Sequence, residues 1–483
     1  MSKNDSSEAN VIRYLCMKKV IAVDLGATSG RVMVITHNNH RFSLEEIARF
    51  PNRTYTDKKG YLRWDFSYLL SNVKEGIFAA LEKHPDVSSI GIDTWGVDYG
   101  LLKDEELVAD PICYRDLHSF ASQEKILSEV PFSSIYSLTG IQNLHFNTIY
   151  QLAADPTDFS NVNDLLLVPD LIAFFLTGAK KMEETNASTT SLYLRNEGKI
   201  SEQLLSLAHV PPSIFPPMIH AGEMYGYLKE EYAPSSLKKR IPVIAAPTHD
   251  TASAVLGAAG VGNFAYISSG TWSLIGTELQ EPIMNEQSRA YNFTNEIGYG
   301  HTIRFLKNTM GMFLLNEIRN DYKKKGLDIK VEDIVPLAEK AKDVGFYLDV
   351  DDPLFEQPGD MLSKLNQYLK QNHCDVVLSI GETIKLIYRS MAKKYNAIIK
   401  QLEELAHIKM DSILIVGGGN QASLLNQYIA DECNIDVITG ASEATIMGNA
   451  LAQFIALKEI ASVEEGRKDI HGSFPSSIFR PIH

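Results

Sequence analysis

Two segments of the chain repeat one pattern, and this repeat constrains the fold more than any other feature. Residues 20–35 read VIAVDLGATSGRVMVI, and residues 263–277 read NFAYISSGTWSLIGT. In each segment, two apolar runs flank a short loop of glycine and small hydroxyl residues, which is typical of a tight β-hairpin. Because one copy opens each half of the 483 residues, the sequence predicts two related α/β domains, with limits at residues 18–245 and 246–456 and a tail at 457–483.

The loops of these two hairpins have a composition that suits phosphate binding. Glycine and small residues let the backbone come close to a phosphate, and successive N–H groups can then line an anion site. Asp24 lies at the end of the first strand, where a carboxylate could hold Mg²⁺ directly or through water, and Arg31 could add a positive charge. An ordinary hairpin with Gly30 in its turn explains the first loop alone equally well.

The segment between the two halves, residues 241–260, reads IPVIAAPTHDTASAVLGAAG. Its apolar start predicts a strand that Pro247 ends, and its small residues from Thr251 onward predict a closely packed helix. Asp250 would then lie just ahead of a helix, at the sheet edge where α/β proteins bind ligands, and we expect its carboxylate to stay ionised near neutral pH. Such a group can accept a proton from a hydroxyl, although an N-cap is the commoner use of an Asp before a helix.

Two further segments follow the same strand-and-loop design. Residues 89–102 (SIGIDTWGVDYGLL) predict a strand before Trp95 and Gly96. This pair could border a small polar pocket, although a core position is the better interpretation of Trp95 alone. Residues 412–428 predict a strand that runs into Gly417–Gly419 and then a helix. Three glycines suit either a flat ligand such as adenosine or a tight turn without a ligand.

Helices are predicted in three other places. Residues 148–178 have a helical pattern, and so do residues 381–405, which form the longest amphipathic stretch. Residues 306–315 (LKNTMGMFLL) look like the start of a helix. Asn308 in that segment could hydrogen-bond a sugar hydroxyl or act as a helix cap.

Composition excludes several classes of function. The net charge of −14 and the absence of long Lys/Arg runs argue against nucleic-acid binding, and no apolar run has the length of a membrane span. The cysteines are widely spaced, which argues against a zinc site or a disulfide framework and favours the cytoplasm; they are Cys16, Cys113, Cys374 and Cys433. The patterns GxxxxGK[ST] and GxGxxG are missing, so a P-loop kinase and an NAD-dependent dehydrogenase are poor fits.

Six motifs occur in the order and at the spacing found in a known family: DLGATSGR, GIDTWGVD, HDTASA, SSGTWSL, LKNTMG and IVGGGNQ. From about residue 18 to about residue 456 the chain resembles the FGGY carbohydrate kinases, above all those members that act on L-rhamnulose. The resemblance implies an α/β fold of two actin-like (ribonuclease-H-like) domains around a central cleft, with ATP held mainly by the second domain. It also implies transfer of the γ-phosphoryl group of ATP, with Mg²⁺, to the C1 hydroxyl of L-rhamnulose, a step in L-rhamnose breakdown.

The same resemblance implies roles for individual residues. Asp250 is expected to accept the proton of the sugar hydroxyl, and Asp24 to position the metal through water. The expected sugar contacts are Gly96, His249, Asp250, Thr251 and Asn308. The expected ATP contacts are Ala27, Thr28, Ser29, Gly30, Arg31, Thr271, Asn316 and Gly418. Asn316 stands where the related enzymes carry the longer Gln.

Two alternatives stay open at the level of sequence. One is a kinase of another ketose, such as L-fuculose or L-xylulose, and the other is an actin-like ATPase or sugar sensor that phosphorylates no sugar. A sensor would need no proton acceptor, so Asp250 distinguishes the two classes. The expected partners are a small ketose and ATP, and the expected assembly is a monomer or a homodimer.

Overall fold

The computed structural model describes residues 17–258, 260, 262–440 and 443–482. These residues form two compact units, each with a β-sheet covered by helices, in agreement with the α/β prediction. The first unit contains the described parts of residues 1–259, 279–304 and 443–475, and the second contains those of residues 260–278, 305–442 and 476–483. The domain limits predicted from the sequence stay a prediction.

The main sheet of the first unit has six strands. Their order across the sheet is Met224–Tyr227, Pro242–Ile244, Ile90–Thr94, Lys18–Leu25, Ser29–Asn38 and Arg41–Pro51. Lys18–Leu25 is antiparallel to Ser29–Asn38, which confirms the first predicted hairpin, and parallel to Ile90–Thr94. Residues 20–23 are all fully buried, as expected of a strand that is covered on both faces.

Helices and short strand pairs complete the first unit. Its helices are Phe66–Lys83, Phe120–Glu129, Phe132–Thr139, Thr148–Ala154, Val168–Thr177, Glu184–Ala187, Glu202–Ala208, Asp250–Gly257, Glu286–Ala290, Ala444–Ala456 and Val463–Ser473. Its other strands are Thr54–Thr56, Leu62–Trp64, Tyr99–Lys103, Glu106–Leu107, Asp164–Leu167, Met182–Glu183, Tyr193–Leu194, Lys199–Ile200, Met218–Ile219 and Thr294–Ile297.

The second unit repeats the hairpin-and-parallel-strand arrangement of the first. Phe264–Ser269 is antiparallel to Trp272–Leu279 and parallel to Ser412–Val416, which confirms the second hairpin. The strand order is Ile303–Met310, Trp272–Leu279, Phe264–Ser269, Ser412–Val416, Val437–Thr439 and Ser477–Phe479. The helices are Phe313–Lys324, Val331–Lys340, Met361–Gln371, Ile380–Ala406 and Ser423–Cys433. The described residues contain no helix that is both long and apolar enough to cross a bilayer.

Two helix predictions are wrong in part. The segment 306–315 belongs mostly to the strand Ile303–Met310, and the helix starts only at Phe313. The segment 148–178 forms two helices separated by the strand Asp164–Leu167. In both segments a short apolar run forms a strand because it pairs with a neighbouring strand in a sheet. An apolar run of that length does not by itself distinguish a strand from a helix.

The helix that begins with Asp250 packs backbone to backbone on the helix Ala444–Ala456. A Cβ atom added at Gly448 would overlap the carbonyl oxygen of Ser253, and one added at Gly257 would overlap that of Ala444. Because the clashing atoms are backbone atoms, they cannot move away without shifting a helix.

We therefore expect Gly448→Ala to lower the free energy of unfolding by about 1–3 kcal/mol, the usual effect of an overpacked core. Gly472→Ala is the matched control, since an added Cβ there has only the side chain of Arg41 nearby, at 3.6 Å. Urea unfolding followed by circular dichroism measures both variants. Equal stability of the Gly448 and Gly472 variants would contradict the inferred helix contact.

Candidate active site

Three carboxylates gather at the carboxyl edge of the first unit's main sheet. Asp24 and Asp93 are direct neighbours on adjacent parallel strands. Thr94, the last residue of the second of these strands, forms a β-bridge with His249, which precedes Asp250. The sheet edge thus brings Asp24, Asp93 and Asp250 together, at the position where α/β sheets bind ligands.

Asp250 is the first residue of its helix, and His249 occupies the N-cap position. The N-cap interpretation of Asp250 is therefore wrong. The Thr251 hydroxyl donates to Asp250 Oδ1 at 3.1 Å. Burial raises the pKa of Asp250; His249 opposes this rise and Asp24 adds to it. The raised pKa makes Asp250 a stronger proton acceptor than an ordinary aspartate.

Asp93 is completely buried and only partly satisfied. Its Oδ2 accepts a hydrogen bond from Asn449 Nδ2 at 2.6 Å, and Gln453 in turn holds Asn449. Its Oδ1 has no hydrogen-bond donor among the described residues. Burial, followed by the nearby carboxylate of Asp24, raises the pKa of Asp93 well above its usual range. An unpartnered carboxylate oxygen next to further carboxylates is a donor set that fits a divalent cation.

The guanidinium of Arg31 forms ion pairs with both Asp24 and Glu443. Asp24 is buried, and Arg31 and Glu443 are mostly so. The double ion pair fixes the guanidinium next to the hairpin loop. Its remaining N–H groups can still donate to an anion.

A buried arginine determines which nitrogen of His249 carries the proton. Arg304 Nη2 lies 2.9 Å from His249 Nδ1 and 3.0 Å from Glu296 Oε2. Because a guanidinium only donates, Nδ1 must accept, and we assign the proton of neutral His249 to Nε2. That nitrogen lies 3.5 Å from Asp250 Oδ1. Burial alone would raise the pKa of Glu296, but Arg304 and His249 lower it below its usual value.

Gly96 lies directly beside His249, as the two predicted sugar contacts require. A Cβ atom at residue 96 would come within 3.0 Å of Thr189 Oγ1 and 3.3 Å of His249 Nε2. A side chain at this position would therefore crowd the Nε2–H group of His249. The absence of a side chain keeps that donor accessible.

Trp95 is a core residue rather than an open pocket wall. Its ring packs on that of Trp64 with a centroid distance of 4.3 Å, and both indole N–H groups donate to Asp98 Oδ2. Asp98 also accepts from the Tyr114 N–H and from Gln151. Burial raises the pKa of Asp98 to about 6, although the hydrogen bonds oppose the rise. Asp98 therefore organises the core beneath Gly96 and is not free to contact a sugar.

Glu183 holds the backbone in front of Asp250. Its Oε2 accepts from the N–H and hydroxyl of Thr248, at 3.1 and 2.7 Å, and from the N–H and hydroxyl of Thr185. The Thr185 hydroxyl oxygen in turn accepts from the His249 N–H at 3.2 Å. Burial raises the pKa of Glu183 to about 7, while the hydrogen bonds from Thr185 and Thr248 oppose this rise.

The raised pKa of Glu183 predicts a pH-dependent stability. The folded state holds the proton more tightly than the unfolded state does, so the stabilisation is complete below about pH 4.5 and is lost as the pH rises through about 7. Glu183→Gln keeps an acceptor oxygen but does not titrate. Between about pH 4.5 and 7, we expect the free energy of unfolding of the wild type to fall by on the order of 3 kcal/mol relative to that of the Gln variant. Urea unfolding across this range measures the difference, and parallel stability curves would contradict the assignment.

The loop of the first hairpin is tied to the protein through its carbonyl groups. Asn52 donates from its side chain to the Gly26 carbonyl at 3.1 Å and from its N–H to the Thr28 carbonyl at 2.9 Å. Arg115 donates to the Ala27 carbonyl at 3.4 Å. The candidate phosphate loop thus has a fixed backbone, which an anion site needs.

The two candidate nucleotide loops of the second unit are in direct contact. The strand before Ser269 is parallel to the strand before Gly417. A Cβ atom at Gly419 would overlap the Ser269 side chain, and one at Gly417 would lie 3.2 Å from the Ser269 carbonyl oxygen. Gly418 lies between them in a 3₁₀ turn. Only glycines allow the two loops to come this close.

The second hairpin loop also meets the N-terminus of the helix Phe313–Lys324. The Met312 N–H donates to the Gly270 carbonyl at 2.9 Å, and the Phe313 N–H donates to the Thr271 carbonyl at 3.3 Å. Asn316, in the first turn of this helix, is exposed, and its N–H donates to the Met312 carbonyl. The structure therefore brings Thr271, Gly418 and the start of the Asn316 helix to one end of the second unit's sheet.

Asn308 is half-buried on the strand Ile303–Met310 of the second unit. The other expected sugar contacts, Gly96, His249, Asp250 and Thr251, belong to the first unit. A role for Asn308 stays a prediction.

Sequence reasoning missed four residues that support the site: Asn52, Glu183, Glu296 and Arg304. One of them carried a usable signal. Residues 303–306 read IRFL, and a charge inside an apolar run indicates a buried, paired side chain. The other three act on the site through residues that are distant in sequence: Asn52 through Gly26, Glu183 through Thr248 and Glu296 through His249.

Two family models cover nearly all of the chain. The N-terminal domain model of the FGGY family of carbohydrate kinases matches residues 19–257, and the C-terminal domain model matches residues 265–457. The chain belongs to the FGGY family of carbohydrate kinases. The resemblance inferred from the six motifs is thereby confirmed, and so is the assignment as an enzyme that phosphorylates carbohydrates.

Individual FGGY relatives match over almost their full length. The chain is 36% identical to the rhamnulokinase of Ligilactobacillus salivarius over 468 residues, 96% of each protein. It is 37% identical to the rhamnulokinase of Enterococcus faecalis, over 95% of this chain and 94% of that protein. Among solved structures, the xylulose kinase of Lactobacillus acidophilus aligns with a TM-score of 0.77 at 16% identity, over 96% of this chain and 94% of that one. The structural match confirms the predicted FGGY fold of two ribonuclease-H-like, actin-like domains.

Proposed function

We propose that the protein phosphorylates L-rhamnulose at its C1 hydroxyl with ATP, giving L-rhamnulose 1-phosphate and ADP, in the breakdown of L-rhamnose. The observation that carries this proposal is the full-length similarity to rhamnulokinases at 36–37% identity. The grouping of Gly96, His249 and Asp250 in the first unit supports it, since this grouping offers a proton acceptor next to a hydrogen-bond donor.

Asp250 is the proposed proton acceptor. Phosphoryl transfer depends mainly on positioning and on charge neutralisation, and the attacking hydroxyl has to lose its proton. Asp250 combines a raised pKa with a side chain that is still about one-third exposed. A hydroxyl group can therefore reach its carboxylate, and Thr251 holds the carboxylate in place.

His249 is the proposed donor to a sugar oxygen. Arg304 occupies its Nδ1 atom, so the donor is Nε2–H, which lies beside Gly96 and 3.5 Å from Asp250 Oδ1. A donor next to an acceptor lets the site hold one hydroxyl group in a fixed orientation, which is the main requirement for efficient transfer. The predicted sugar contact of Asn308 is proposed from the family resemblance alone.

The nucleotide contacts are proposed for each unit separately. In the second unit, we propose Thr271, Asn316 and Gly418, which lie in or next to the joined loops, as contacts of the nucleotide. In the first unit, the hairpin loop and the residues after it offer N–H groups, hydroxyls and the Arg31 guanidinium to phosphate oxygens. The residues proposed here are Ala27, Thr28, Ser29, Gly30 and Arg31.

Magnesium is the proposed metal, in keeping with the use of ATP by this family. The unpartnered Oδ1 of Asp93 and the neighbouring Asp24 fit a hard divalent cation, directly or through water. When bound, the cation would neutralise charge on the transferred phosphoryl group. Asp24 is also paired with Arg31.

The experiment that tests the function is a panel of ketoses with product analysis. Purified enzyme, ATP and Mg²⁺ are incubated with L-rhamnulose, L-fuculose or L-xylulose, ADP release is followed in a coupled assay, and the phosphorylated carbon is identified by ³¹P–¹H NMR. We expect the highest kcat/KM with L-rhamnulose and phosphate on C1. A higher kcat/KM with another ketose would show that L-rhamnulose is not the preferred substrate. ADP release that does not depend on a ketose would favour the ATPase or sensor alternative.

The compartment is proposed as the cytoplasm. The described cysteines, Cys113, Cys374 and Cys433, are free thiols, which suits a reducing environment. Cys16 lies outside the described residues.

A further inference from the structure

A cluster of one carboxylate and two imidazoles lies in the first unit, apart from the proposed sugar and nucleotide contacts. Glu184 Oε2 lies 3.1 Å from His220 Nδ1, and Glu184 Oε1 lies 3.2 Å from His301 Nδ1. The three ligand atoms are all within 4.8 Å of one another. The rings of His220 and His301 are edge to face, with a centroid distance of 5.0 Å.

These distances suit a single bound metal ion. Two ligands of a tetrahedral zinc ion, each about 2.1 Å from the metal, are about 3.4 Å apart. The separations observed here are slightly shorter, so a small outward movement of the exposed imidazoles would make room for the ion. The side chains of His220 and His301 are 43% and 60% exposed, which gives the ion an entry path, while Glu184 is 3% exposed.

One of the ligand atoms has no partner in the protein. His220 Nδ1 is shielded from solvent and makes no hydrogen bond among the described residues, although Glu184 lies nearby. A buried polar nitrogen without a hydrogen bond is unfavourable, and a cation between His220 Nδ1 and the Glu184 carboxylate would satisfy both groups.

We propose that Glu184, His220 and His301 bind one transition-metal dication of the zinc class, with water or a small anion completing the coordination. Imidazole nitrogen with carboxylate oxygen is a ligand set that such ions prefer, whereas Mg²⁺ prefers oxygen alone. The site is therefore chemically distinct from the Asp24 and Asp93 carboxylates.

The bound ion would join three segments that support the candidate sugar site. Glu184 lies between Glu183 and Thr185, which hold the backbone before Asp250. His301 lies three residues before Arg304, which contacts His249. A metal that links these segments to the loop of His220 stabilises the folded state, because it binds the folded chain better than the unfolded one.

A second cluster of similar composition offers an internal control. His40, Glu465 and Asp469 also lie within metal-binding distance. However, Asp469 Oδ2 already lies 2.9 Å from His37 Nε2 and 3.2 Å from His40 Nδ1. This cluster is the weaker candidate for a metal site, because it contains one imidazole and because Asp469 Oδ2 already contacts His37 and His40.

The experiment is isothermal titration of the untagged enzyme with Zn²⁺, in the presence of excess Mg²⁺, together with the Co²⁺ absorption spectrum and thermal unfolding. Wild type, His220→Ala, His301→Ala and His40→Ala are compared. We expect one tight site per chain and a raised Tm with Zn²⁺ in the wild type and in His40→Ala. Loss of an outer-shell partner typically lowers metal affinity about 10- to 100-fold. Because His220 and His301 are proposed as direct ligands, we expect the Zn²⁺ affinity of His220→Ala and His301→Ala to fall further than that.

Each possible outcome decides the proposal. Loss of binding and of the Co²⁺ ligand-field bands in both His220→Ala and His301→Ala, with no loss in His40→Ala, supports it. The proposal is overturned if the wild type binds no Zn²⁺ in this titration. It is equally overturned if His40→Ala alone abolishes binding, because the ion then belongs to the other cluster. Circular dichroism checks the folding of the variants, which we expect to be intact because both substituted histidines are partly exposed.

Discussion

Replacement of Asp250 by asparagine is expected to lower kcat by about 10²- to 10⁴-fold, the usual contribution of a positioned general base. Asparagine keeps the size of the side chain and an oxygen that can accept the Thr251 hydroxyl, but it cannot take a proton from the sugar. Binding of ATP should change little, because the proposed nucleotide contacts involve other residues. Steady-state kinetics with L-rhamnulose and titration with a non-hydrolysable ATP analogue measure the two effects.

The pH dependence provides a second check on Asp250. Burial raises its pKa, and a general base works only when deprotonated, so kcat/KM should rise with pH through a value above that of an ordinary aspartate and then level off. Asp375→Asn is the matched control, because that side chain is exposed. Near-normal turnover of the Asp250 variant would rule out the proposed proton acceptor.

Replacement of Arg304 by methionine is expected to lower the free energy of unfolding by about 3–5 kcal/mol, the usual result of removing one partner of a buried ion pair. Arg304 is completely buried, and its loss leaves Glu296 without its cation. The KM for the sugar should also rise. Glu296 Oε2 lies 3.4 Å from His249 Nδ1, so the His249 proton can move to Nδ1, and the donor that faces the sugar is then lost.

A double variant separates the two effects of Arg304. Arg304→Met combined with Glu296→Gln removes the uncompensated charge, so much of the lost stability should return, while the raised KM should persist. Urea unfolding and ketose titration of kcat and KM measure the two quantities. Arg480→Met is the control, since that side chain is 76% exposed. If the single Arg304 variant keeps the wild-type KM, Arg304 does not position His249.

Local sequence patterns were sufficient to predict the main secondary-structure elements around the candidate active site. The two hairpins, the strand before Gly417 and the helix Ile380–Ala406 are all where the sequence predicts them. Each depends on residues that are close in sequence: alternating or continuous apolar runs, glycines in tight turns and an amphipathic stripe. The placement of Gly96 next to His249 also agrees with their predicted common role.

The errors occurred where a segment depends on a distant neighbour. The residues before Phe313 form a strand because they are paired within a sheet, although their apolar pattern also fits a helix. The pKa of Asp250 also depends on distant neighbours. Its place at a helix N-terminus is visible in the sequence, whereas the burial that raises its pKa results from packing by other segments.

The sequence by itself determined the two α/β units, the family and the candidate proton acceptor, because glycine-rich hairpins and the order of six motifs are local features of the chain. Only the tertiary structure decided how that acceptor is held and tuned. Glu296 and Arg304 reach His249 from 47 and 55 residues away, and Glu183 holds the preceding Thr248 from 65 residues away. Burial and hydrogen bonding between such distant segments set the proton position on His249 and the pKa of Asp250, and neither quantity can be derived from residue types alone.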